Sequence, residues 1–495
     1  DLQASILVDA GQSLRSARFL IDGRPVSAPV ALRDCASGCV KGLDARTHIA
    51  TVRALSLSRA GRHEFSVEAV QADGQRVSAR GNLEVVPFSA ALGPQVKNII
   101  ILLGDGMGAA HRTAARIMAK GYLQGKAQDR LAMDTFPSTA MVMTASLNSI
   151  VPDSAPGMAN YVTGNKAQNN QEGVYPDDTN AKFDNPRVEY LSEYLHRLKG
   201  TSTGIVTTAD VFDATPAANA VHSQDRGAGT GIVDQYLDDR GLTGLSVLMG
   251  GGRKWFLPST TTGSARAASS DYVLNGDIVA GWGAAFGASD VTRDVISDFQ
   301  TAGFTYAPDR TTLNSVGAPN KLLGLFSLGN MNVAFDKLNG RRGTSNVVAD
   351  YGFPDQPMLD EMTDKALQVL SKNPNGFVLM VEGASIDKQA HLMDSDRWIL
   401  ETIEFDKAIQ KAKEFANANP DTVVIVTADH ECAGAAVIGA SMKTAAQLQA
   451  IATGSDHNRT TQVDAVVGTY DSAKFPAYTI AADGYPTSTD IDGKM

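Results

Sequence analysis

Four short, continuous runs of apolar residues constrain the fold of this chain more than any other feature. They lie at residues 96–103, 204–208, 376–381 and 422–426. Runs of this length without polar alternation are typical of strands that are covered on both faces. Helical patterns separate them, and the clearest spans residues 396–416. Strands that alternate with helices predict an α/β fold with a doubly wound, mostly parallel sheet flanked by helices.

Residues 1–93 follow a different pattern and are predicted to form a separate module. Short alternating segments recur at 5–8, 17–21, 50–55 and 64–70. Strands of this length, separated by turn signals, predict a small antiparallel β-sandwich. The segment 61–74 resembles bacterial immunoglobulin-like modules, and we expect the module to be a spacer without chemistry of its own. Prolines and small residues end it near residue 93, so a second domain is predicted over 94–495.

Composition and charge narrow the classes of function. Acidic residues outnumber basic ones by 54 to 44, which gives a formal net charge of -10 and argues against a nucleic acid partner. A small anionic substrate is compatible with that charge, because bound cations can supply a local positive centre. No apolar run reaches the roughly 18 residues of a membrane-spanning helix, so no membrane span is expected.

The three cysteines bear on the cellular compartment. Cys35 and Cys39 flank a tight, glycine-containing loop and are predicted to form a small disulfide. A metal site is the alternative, but no nearby histidine cluster or second cysteine pair would complete it. A disulfide favours an oxidising compartment, and we therefore expect a periplasmic or secreted protein.

The residues that follow the four apolar runs carry the strongest functional signal. In doubly wound sheets the ligand site lies beyond the carboxyl ends of the strands. Acidic residues and histidines follow the runs in this order: Asp105; Asp210 and Asp213; Glu382, Asp387 and His391; Asp429 and His430. Any one of them could be a helix cap or a loop residue, but four such endings in one sheet favour a metal site. Carboxylates and imidazoles suit zinc and magnesium.

Ser154 is the candidate nucleophile. It lies between the first and second runs, in the motif Asp153-Ser154-Ala155, at the start of a predicted helix. Its ordinary role there would be an N-cap. The same position would place its oxygen among backbone N–H groups at the positive end of the helix, where an anion is stabilised. A neighbouring metal ion would lower the pKa of its hydroxyl group.

In combination, these motifs resemble those of alkaline phosphatases. The matching segments are residues 98–108, 153–155, 213–218, 382–391 and 427–430. The resemblance implies hydrolysis of small phosphate monoesters through a phosphoserine intermediate on Ser154. It also implies two zinc ions and one magnesium ion as cofactors, and commonly a homodimer.

The resemblance further implies a set of metal ligands. These are Asp105, Asp213, Thr215, Glu382, Asp387, His391, Asp429 and His430. Asp387 and His391 match ligands of a first zinc ion. Asp429 and His430 match ligands of a second zinc ion, which Asp105 bridges to the magnesium ion.

The remaining site residues also follow from the resemblance. Glu382 and Thr215 match magnesium ligands, and Asp213 matches a residue that contacts this ion through water. Arg226 matches the arginine that clamps the phosphate, a task for which the planar guanidinium is suited. Its alternative role is that of an ordinary surface arginine. Lys388 matches a lysine that reaches the phosphate through water, so it joins the catalytic candidates.

One family ligand has no counterpart in the matching motifs. The first zinc of the family has a third protein ligand, a histidine that precedes a final core strand. The candidates are His457, which no apolar strand follows, and a histidine beyond Met495 in a longer natural chain. We expect the second of these. Residues 255–345 are also unassigned, and they are interpreted either as a lid over the site or as a peripheral insertion.

Three other functions are compatible with parts of the pattern. A sulfatase of the same superfamily would need an arginine in a C/S-x-P-x-R motif, which residues 153–157 lack. A phosphodiesterase is the main alternative, but it would lack the third metal site, for which Asp213, Thr215 and Glu382 are present. A phosphate- or metal-binding module without turnover would usually have lost its nucleophile, and Ser154 is intact.

Overall fold

The computed structural model describes residues 1–35, 43–86, 96–123, 126–339, 353–437 and 478–487. Three predicted features lie outside these ranges: Cys39, the domain boundary near residue 93, and the histidine at 457. Cys35 is disulfide-bonded, whereas Cys432 is a buried free thiol. Among the described residues, no helix combines the length and the apolar composition that crossing a bilayer requires.

The described residues within 1–86 form antiparallel strands in two sheets, and we refer to them as the N-terminal module. The strands are β1 (Leu2–Leu7), β2 (Leu14–Ile21), β3 (Arg24–Pro25), β4 (Ala31–Asp34), β5 (Thr47–Val52), β6 (Gly61–Gln71) and β7 (Arg76–Val85). Their spatial order is β1-β5-β4 in one sheet and β3-β2-β6-β7 in the other. Ile6, Phe19 and Val67 come from both sheets and share one buried apolar core. The antiparallel strands agree with the expected sandwich, and its immunoglobulin-like type stays a prediction.

A seven-stranded sheet forms the centre of the rest of the chain. Two short strands, β9 (Tyr122–Leu123) and β10 (Lys126–Ala127), form a separate hairpin. The strands of the large sheet, in chain order, are β8 (Asn98–Gly104), β11 (Ser202–Asp210), β12 (Leu245–Gly251), β13 (Thr305–Ala307), β14 (Leu322–Leu325), β15 (Phe377–Gly383) and β16 (Thr422–Thr427). The spatial order is β13-β14-β12-β11-β15-β8-β16. Every neighbouring pair is parallel, which confirms the predicted sheet. The four apolar runs are β8, β11, β15 and β16.

Both faces of the sheet are covered, which explains why its strands lack polar alternation. Along β8, Ile100 and Leu102 pack into one apolar core, whereas Ile101 and Leu103 pack into a second core on the opposite face. Successive side chains of a strand point to opposite faces, so a strand between two cores must be apolar at every position.

Thirteen helices surround the sheet among the described residues. They are α1 (Ala109–Lys120), α2 (Ser154–Thr163), α3 (Leu191–Lys199), α4 (Ala214–Ala217), α5 (Gly229–Asp238), α6 (Arg240–Thr243), α7 (Gly276–Trp282), α8 (Val295–Thr301), α9 (Arg310–Ser315), α10 (Ala334–Asn339), α11 (Leu359–Leu370), α12 (Ser385–His391) and α13 (Ser395–Ala418). Helices α1, α11 and α13 contribute to the first core, and α2, α5 and α8 contribute to the second. The helix predicted at 396–416 is the central part of α13.

The described part of the unassigned segment, residues 255–339, belongs largely to the sheet and its flanks. It supplies β13 and β14, which extend the sheet beyond β12. Its aromatic side chains Phe299 and Phe304 pack in the second core. This part of the segment therefore contributes to the central fold.

Candidate active site

The carboxyl ends of β11, β15, β8 and β16 lie next to one another, because these strands are neighbours in the sheet. This arrangement brings together most of the acidic and histidine side chains that follow the apolar runs, although not Asp210. Two groups of potential metal ligands form there, each with its ligand atoms within 4.8 Å of one another.

The first group consists of Asp105, Asp429 and His430. Nε2 of His430 lies 3.6 Å from Oδ1 of Asp105 and 3.4 Å from Oδ2 of Asp429. Oδ1 of Asp429 accepts hydrogen bonds from the backbone N–H groups of Gly106 and His430, at 3.1 and 3.0 Å. These bonds fix the carboxylate, whose Oδ2 is buried and has no hydrogen-bond partner. That oxygen is available to a cation.

The second group consists of Asp387, His391 and Cys432. Asp387 and His391 are four residues apart on α12, as the spacing predicted, and Nε2 of His391 lies 3.3 Å from Oδ2 of Asp387. Oδ1 of Asp387 is buried without a hydrogen-bond partner. The thiol of Cys432 was not expected here. Its position two residues after His430 was a signal in the sequence, but only the fold places it beside Asp387.

Glu382 lies at the end of β15 between the other carboxylates and β11. Burial, reinforced by the charge of Asp105, raises the pKa of Glu382 to about 8. Its Oε2 accepts a hydrogen bond from Oγ1 of Thr207 at 2.5 Å. The sequence did not predict this role for Thr207. The hydroxyl oxygen of Thr215, at the start of α4, is buried and unpartnered.

Burial also raises the pKa values of Asp105 and Asp429. The charge of Asp387 adds to the effect at Asp105, and the charge of Asp105 adds to it at Asp429. Several carboxylates in one buried volume disfavour their own ionisation unless cations neutralise them. The unpartnered oxygens of Asp387, Asp429 and Thr215 also call for bound cations at this position. Oxygen and imidazole donors of this kind fit zinc and magnesium ions.

Ser154 is the first residue of α2 and is almost fully buried. Its hydroxyl group donates to Asp105, with Oγ–Oδ distances of 3.2 and 3.4 Å. The N-cap of α2 is Asp153, whose side chain accepts from the backbone N–H of Ala155. The N-cap role considered for the serine therefore belongs to its neighbour. The Ser154 hydroxyl group does not cap the helix and instead faces the Asp105 carboxylate at the positive end of α2.

Two cations converge on Asp213 at the same edge of the sheet. Arg226 donates to its Oδ1 at 2.7 Å, and Lys388 donates to its Oδ2 at 2.6 Å. Burial opposes ionisation of Asp213, but Lys388 and Arg226 hold its pKa well below the usual range. Arg226 also lies 3.7 Å from Oδ1 of Asp153. Its guanidinium group therefore stands next to the start of α2.

Asp210 belongs to the same predicted loop as Asp213, but its contacts are with residues outside the two ligand groups. It forms an ion pair with Lys254 at 3.0 Å and accepts from the indole N–H of Trp255 at 3.2 Å. Burial, opposed by Lys254, raises the pKa of Asp210 to about 6. The structure therefore separates Asp210 from the ligand groups that contain Asp105 and Asp387.

Comparison with known proteins gives a consistent set of similarities. A family model described as alkaline phosphatase matches residues 96–484. The alkaline phosphatase of Escherichia coli is 33% identical over 372 residues, a match that covers 68% of this chain and 70% of that protein. The human tissue-nonspecific isozyme is 34% identical over 359 residues and is covered over 63% of its length. This chain therefore spans less than two thirds of the human relative.

Solved structures show the same similarity. The alkaline phosphatase of Thermus thermophilus aligns with a TM-score of 0.55 and 25% identity, over 71% of this chain and 63% of that one. The enzyme of the Antarctic bacterium TAB5 aligns with a TM-score of 0.53 and 26% identity, over 71% of this chain and 83% of that one. A histidine-to-glutamate variant of the TAB5 enzyme is described with magnesium bound in its M3 site.

Proposed function

The chain belongs to the alkaline phosphatase family, and from this premise we propose that it hydrolyses phosphate monoesters with Ser154 as the nucleophile. Members of this family are phosphoric monoester hydrolases that depend on metal ions. One observation carries the proposal: Ser154 begins α2 beside Asp105, at the edge of the sheet where Arg226 and Lys388 converge on Asp213.

We assign three metal positions to the carboxylate edge. Asp387 and His391 would hold a first zinc ion. Asp429 and His430 would hold a second, shared with Asp105. When bound, the ions would supply Lewis-acid stabilisation of the charge on the reacting oxygens.

Magnesium is the third assignment. Glu382 and Thr215 would hold it together with Asp105, and Asp213 would lie beside it. The magnesium recorded in the M3 site of the TAB5 variant supports a magnesium position in the family. The unpartnered Thr215 hydroxyl and the hydrogen-bonded Glu382 carboxylate support it in this chain.

Arg226 binds and orients the phosphate in this proposal. Its guanidinium is anchored to Asp213 through Nη2, which leaves further N–H donors for the oxygens of a phosphoryl group. Lys388 contributes positive charge from α12, but it binds Asp213 and would not contact the substrate directly. Both cations favour a dianionic monoester.

The reaction proceeds in two displacements at phosphorus. In the first, the bond from Ser154 Oγ to phosphorus forms and the bond from phosphorus to the alcohol oxygen breaks. The proton lost by the serine hydroxyl is balanced by the proton that the departing alcohol gains. In the second, the oxygen of water replaces Oγ at phosphorus, inorganic phosphate leaves, and one proton returns to Ser154. The phosphoserine between these steps is the covalent intermediate.

The comparisons do not favour the phosphodiesterase alternative, because the similar proteins are alkaline phosphatases. We propose small phosphate monoesters as substrates and no nucleic acid partner. A periplasmic or extracellular location agrees with the disulfide-bonded state of Cys35. Assembly as a homodimer is part of the same proposal. So is the division of the chain into a module at 1–93 and a catalytic domain at 94–495.

The decisive experiment compares the chain with its Ser154→Ala variant on a chromogenic phosphate monoester and on the matching diester. Assays at alkaline pH contain zinc and magnesium, and Ser297→Ala, an exposed serine of α8, is the matched control. We expect monoester turnover in the chain and in the control and its loss in Ser154→Ala. Acid-quenched samples should carry the phosphoryl group on the Ser154 peptide. Preference for the diester, or full activity of Ser154→Ala, would refute the proposal.

A further inference from the structure

Residues 168–188 form a connecting segment between the N-terminal module and the loop that carries Arg226. One side of this segment contacts the module, and its other side contacts residues 223–226. Both sets of contacts include hydrogen bonds to backbone groups of the segment. The segment therefore has a defined position on each side.

Arg53 is the centre of the contacts on the module side. It follows β5 and is almost fully buried. Its Nη2 donates to the carbonyl oxygen of Asp184 at 2.7 Å, and its Nη1 donates to the carbonyl oxygen of Asn185 at 3.1 Å. Its Nε donates to Asp277 at 3.0 Å. Its Nη1 also donates to the Asp1 carboxylate at 3.0 Å. Five N–H donors in a fixed plane let one guanidinium hold two carbonyls and two carboxylates together.

Arg33 reinforces the same contact. It donates to the Asp184 carboxylate at 2.5 Å and to Asp277 at 2.9 Å. The other oxygen of Asp184 accepts from the Thr179 hydroxyl at 2.6 Å. The module thus holds both the backbone and the side chain of Asp184.

The other side of the connecting segment holds the loop that carries Arg226. The backbone N–H of Gln224 donates to the carbonyl of Lys182 at 2.9 Å. Glu172 and Ser223 exchange backbone hydrogen bonds at 2.8 and 3.1 Å. The backbone N–H of Arg226 donates to the carbonyl of Asn170 at 3.1 Å.

Asn170 also connects this loop to the start of α2. Its backbone N–H donates to Oδ2 of Asp153, the N-cap of α2, at 2.7 Å, and its side-chain amide donates to the carbonyl of Gln224 at 3.1 Å. A shift of the connecting segment would therefore disturb the hydrogen bonds that hold the backbone of Arg226 next to the N-cap of α2.

We propose that Arg53 of the N-terminal module is a positioning residue for phosphate binding, acting through the connecting segment on Arg226. This inference rests on the proposed function, because it takes Arg226 as the phosphate ligand. It assigns the module a task in the reaction, beyond that of a spacer. A guanidinium that must meet two phosphate oxygens tolerates little displacement, so its backbone anchor contributes to affinity.

The test measures the dissociation constant of inorganic phosphate by calorimetry and KM and kcat for the monoester, in the metal-loaded full chain. Arg53→Met should weaken phosphate binding and raise KM by roughly three- to tenfold, with a smaller change in kcat. Arg18→Met is the matched control, because Arg18 forms an exposed ion pair with Glu68 elsewhere on the module. Its constants should equal those of the parent chain.

A double mutant identifies the route. If Arg53 acts through Arg226, adding Arg53→Met to Arg226→Ala should leave the phosphate constant of Arg226→Ala unchanged. Additive losses would overturn the proposal, and so would a lower melting temperature with unchanged phosphate affinity and KM. Arg33→Met tests the same contact with a more exposed arginine if Arg53→Met does not fold. If the chain binds phosphate but shows no turnover, the proposed function is refuted. The calorimetric comparison still tests the role of Arg53 in that case.

Discussion

The ammonium nitrogen of Lys388 lies 2.6 Å from Oδ2 of Asp213, which joins α12 to the loop after β11. Arg226 binds the other oxygen of the same carboxylate at 2.7 Å. Burial alone would lower the pKa of Lys388, but the charge of Asp213 raises it well above its usual value. All three groups are therefore ionised near neutral pH. Asp213 fixes both cations at the proposed phosphate site.

Replacing Lys388 by methionine should raise KM for a phosphate monoester by about tenfold, or about 1.4 kcal/mol. The substitution removes a positive charge and one of the two anchors of Asp213. Lys254→Met is the matched control, because Lys254 forms a similar ion pair with Asp210 outside the ligand groups. Steady-state kinetics check the prediction. Equal KM values for Lys388→Met and the parent chain would contradict it.

Replacing Thr207 by valine should increase several-fold the magnesium concentration that gives half-maximal activity. Valine keeps the shape of threonine but removes the hydroxyl that donates to Glu382, so the carboxylate loses its orientation. The control is Thr203→Val on the same strand, whose hydroxyl donates to the carbonyl of Thr243 at 2.6 Å. Each variant should lose about 1–3 kcal/mol of stability, because a buried acceptor is left unpaired.

Magnesium titration of activity, with melting curves for both threonine variants, separates the two effects. Only Thr207→Val should change the magnesium requirement. An equal shift in Thr203→Val would mean that general loosening of β11, rather than loss of the Glu382 contact, produces the effect.

Replacing Gly157 by alanine should reduce kcat/KM by more than about tenfold while the chain still folds. A Cβ atom at this position of α2 would lie 2.7 Å from Cβ of Asp429, so α2 and Asp429 would have to move apart. Gly241 is the matched control, because it is also helical and a Cβ atom added there would meet no side chain within 4 Å. Kinetics and circular dichroism of both variants give the answer, and full activity of Gly157→Ala would show that the contact is unimportant.

The stability of the chain should depend on pH through Asp177 in the connecting segment. Burial, reinforced by the charge of Asp184, raises the pKa of Asp177 to about 6. A raised pKa in a carboxyl group means that the protonated form is favoured in the folded state. Its contribution to stability is thus complete below the unfolded pKa near 3.8 and is lost as the pH rises through 6.

Asparagine at position 177 imitates the protonated carboxyl group. Asp177→Asn should therefore match the parent chain at about pH 3 and exceed it by about 2 kcal/mol above pH 6, after allowance for partial solvent exposure. Urea unfolding at a series of pH values measures the difference. A constant difference across this range would show that Asp177 does not titrate as described.

Much of the central fold could be predicted from the sequence, because burial on both faces leaves a local signature. The runs at 96–103 and 422–426 correspond to β8 and β16 within about two residues. Strands β13 and β14 were not predicted, since they are short and lie in a segment rich in small and polar residues. Their assignment as strands depends on pairing with β12 and with each other.

For the site, the sequence by itself determined which chemical groups follow each strand. Because parallel strands end at one edge of a sheet, these groups could also be predicted to lie close together. Only the tertiary structure decided which groups touch. The register of β11 against β15 sets Thr207 opposite Glu382, and the fold brings Cys432 beside Asp387. The path from Arg53 to Arg226 also depends on contacts between residues far apart in the chain. Strand order, register and loop packing result from the sum of many weak non-local interactions, and no local pattern of residues encodes them.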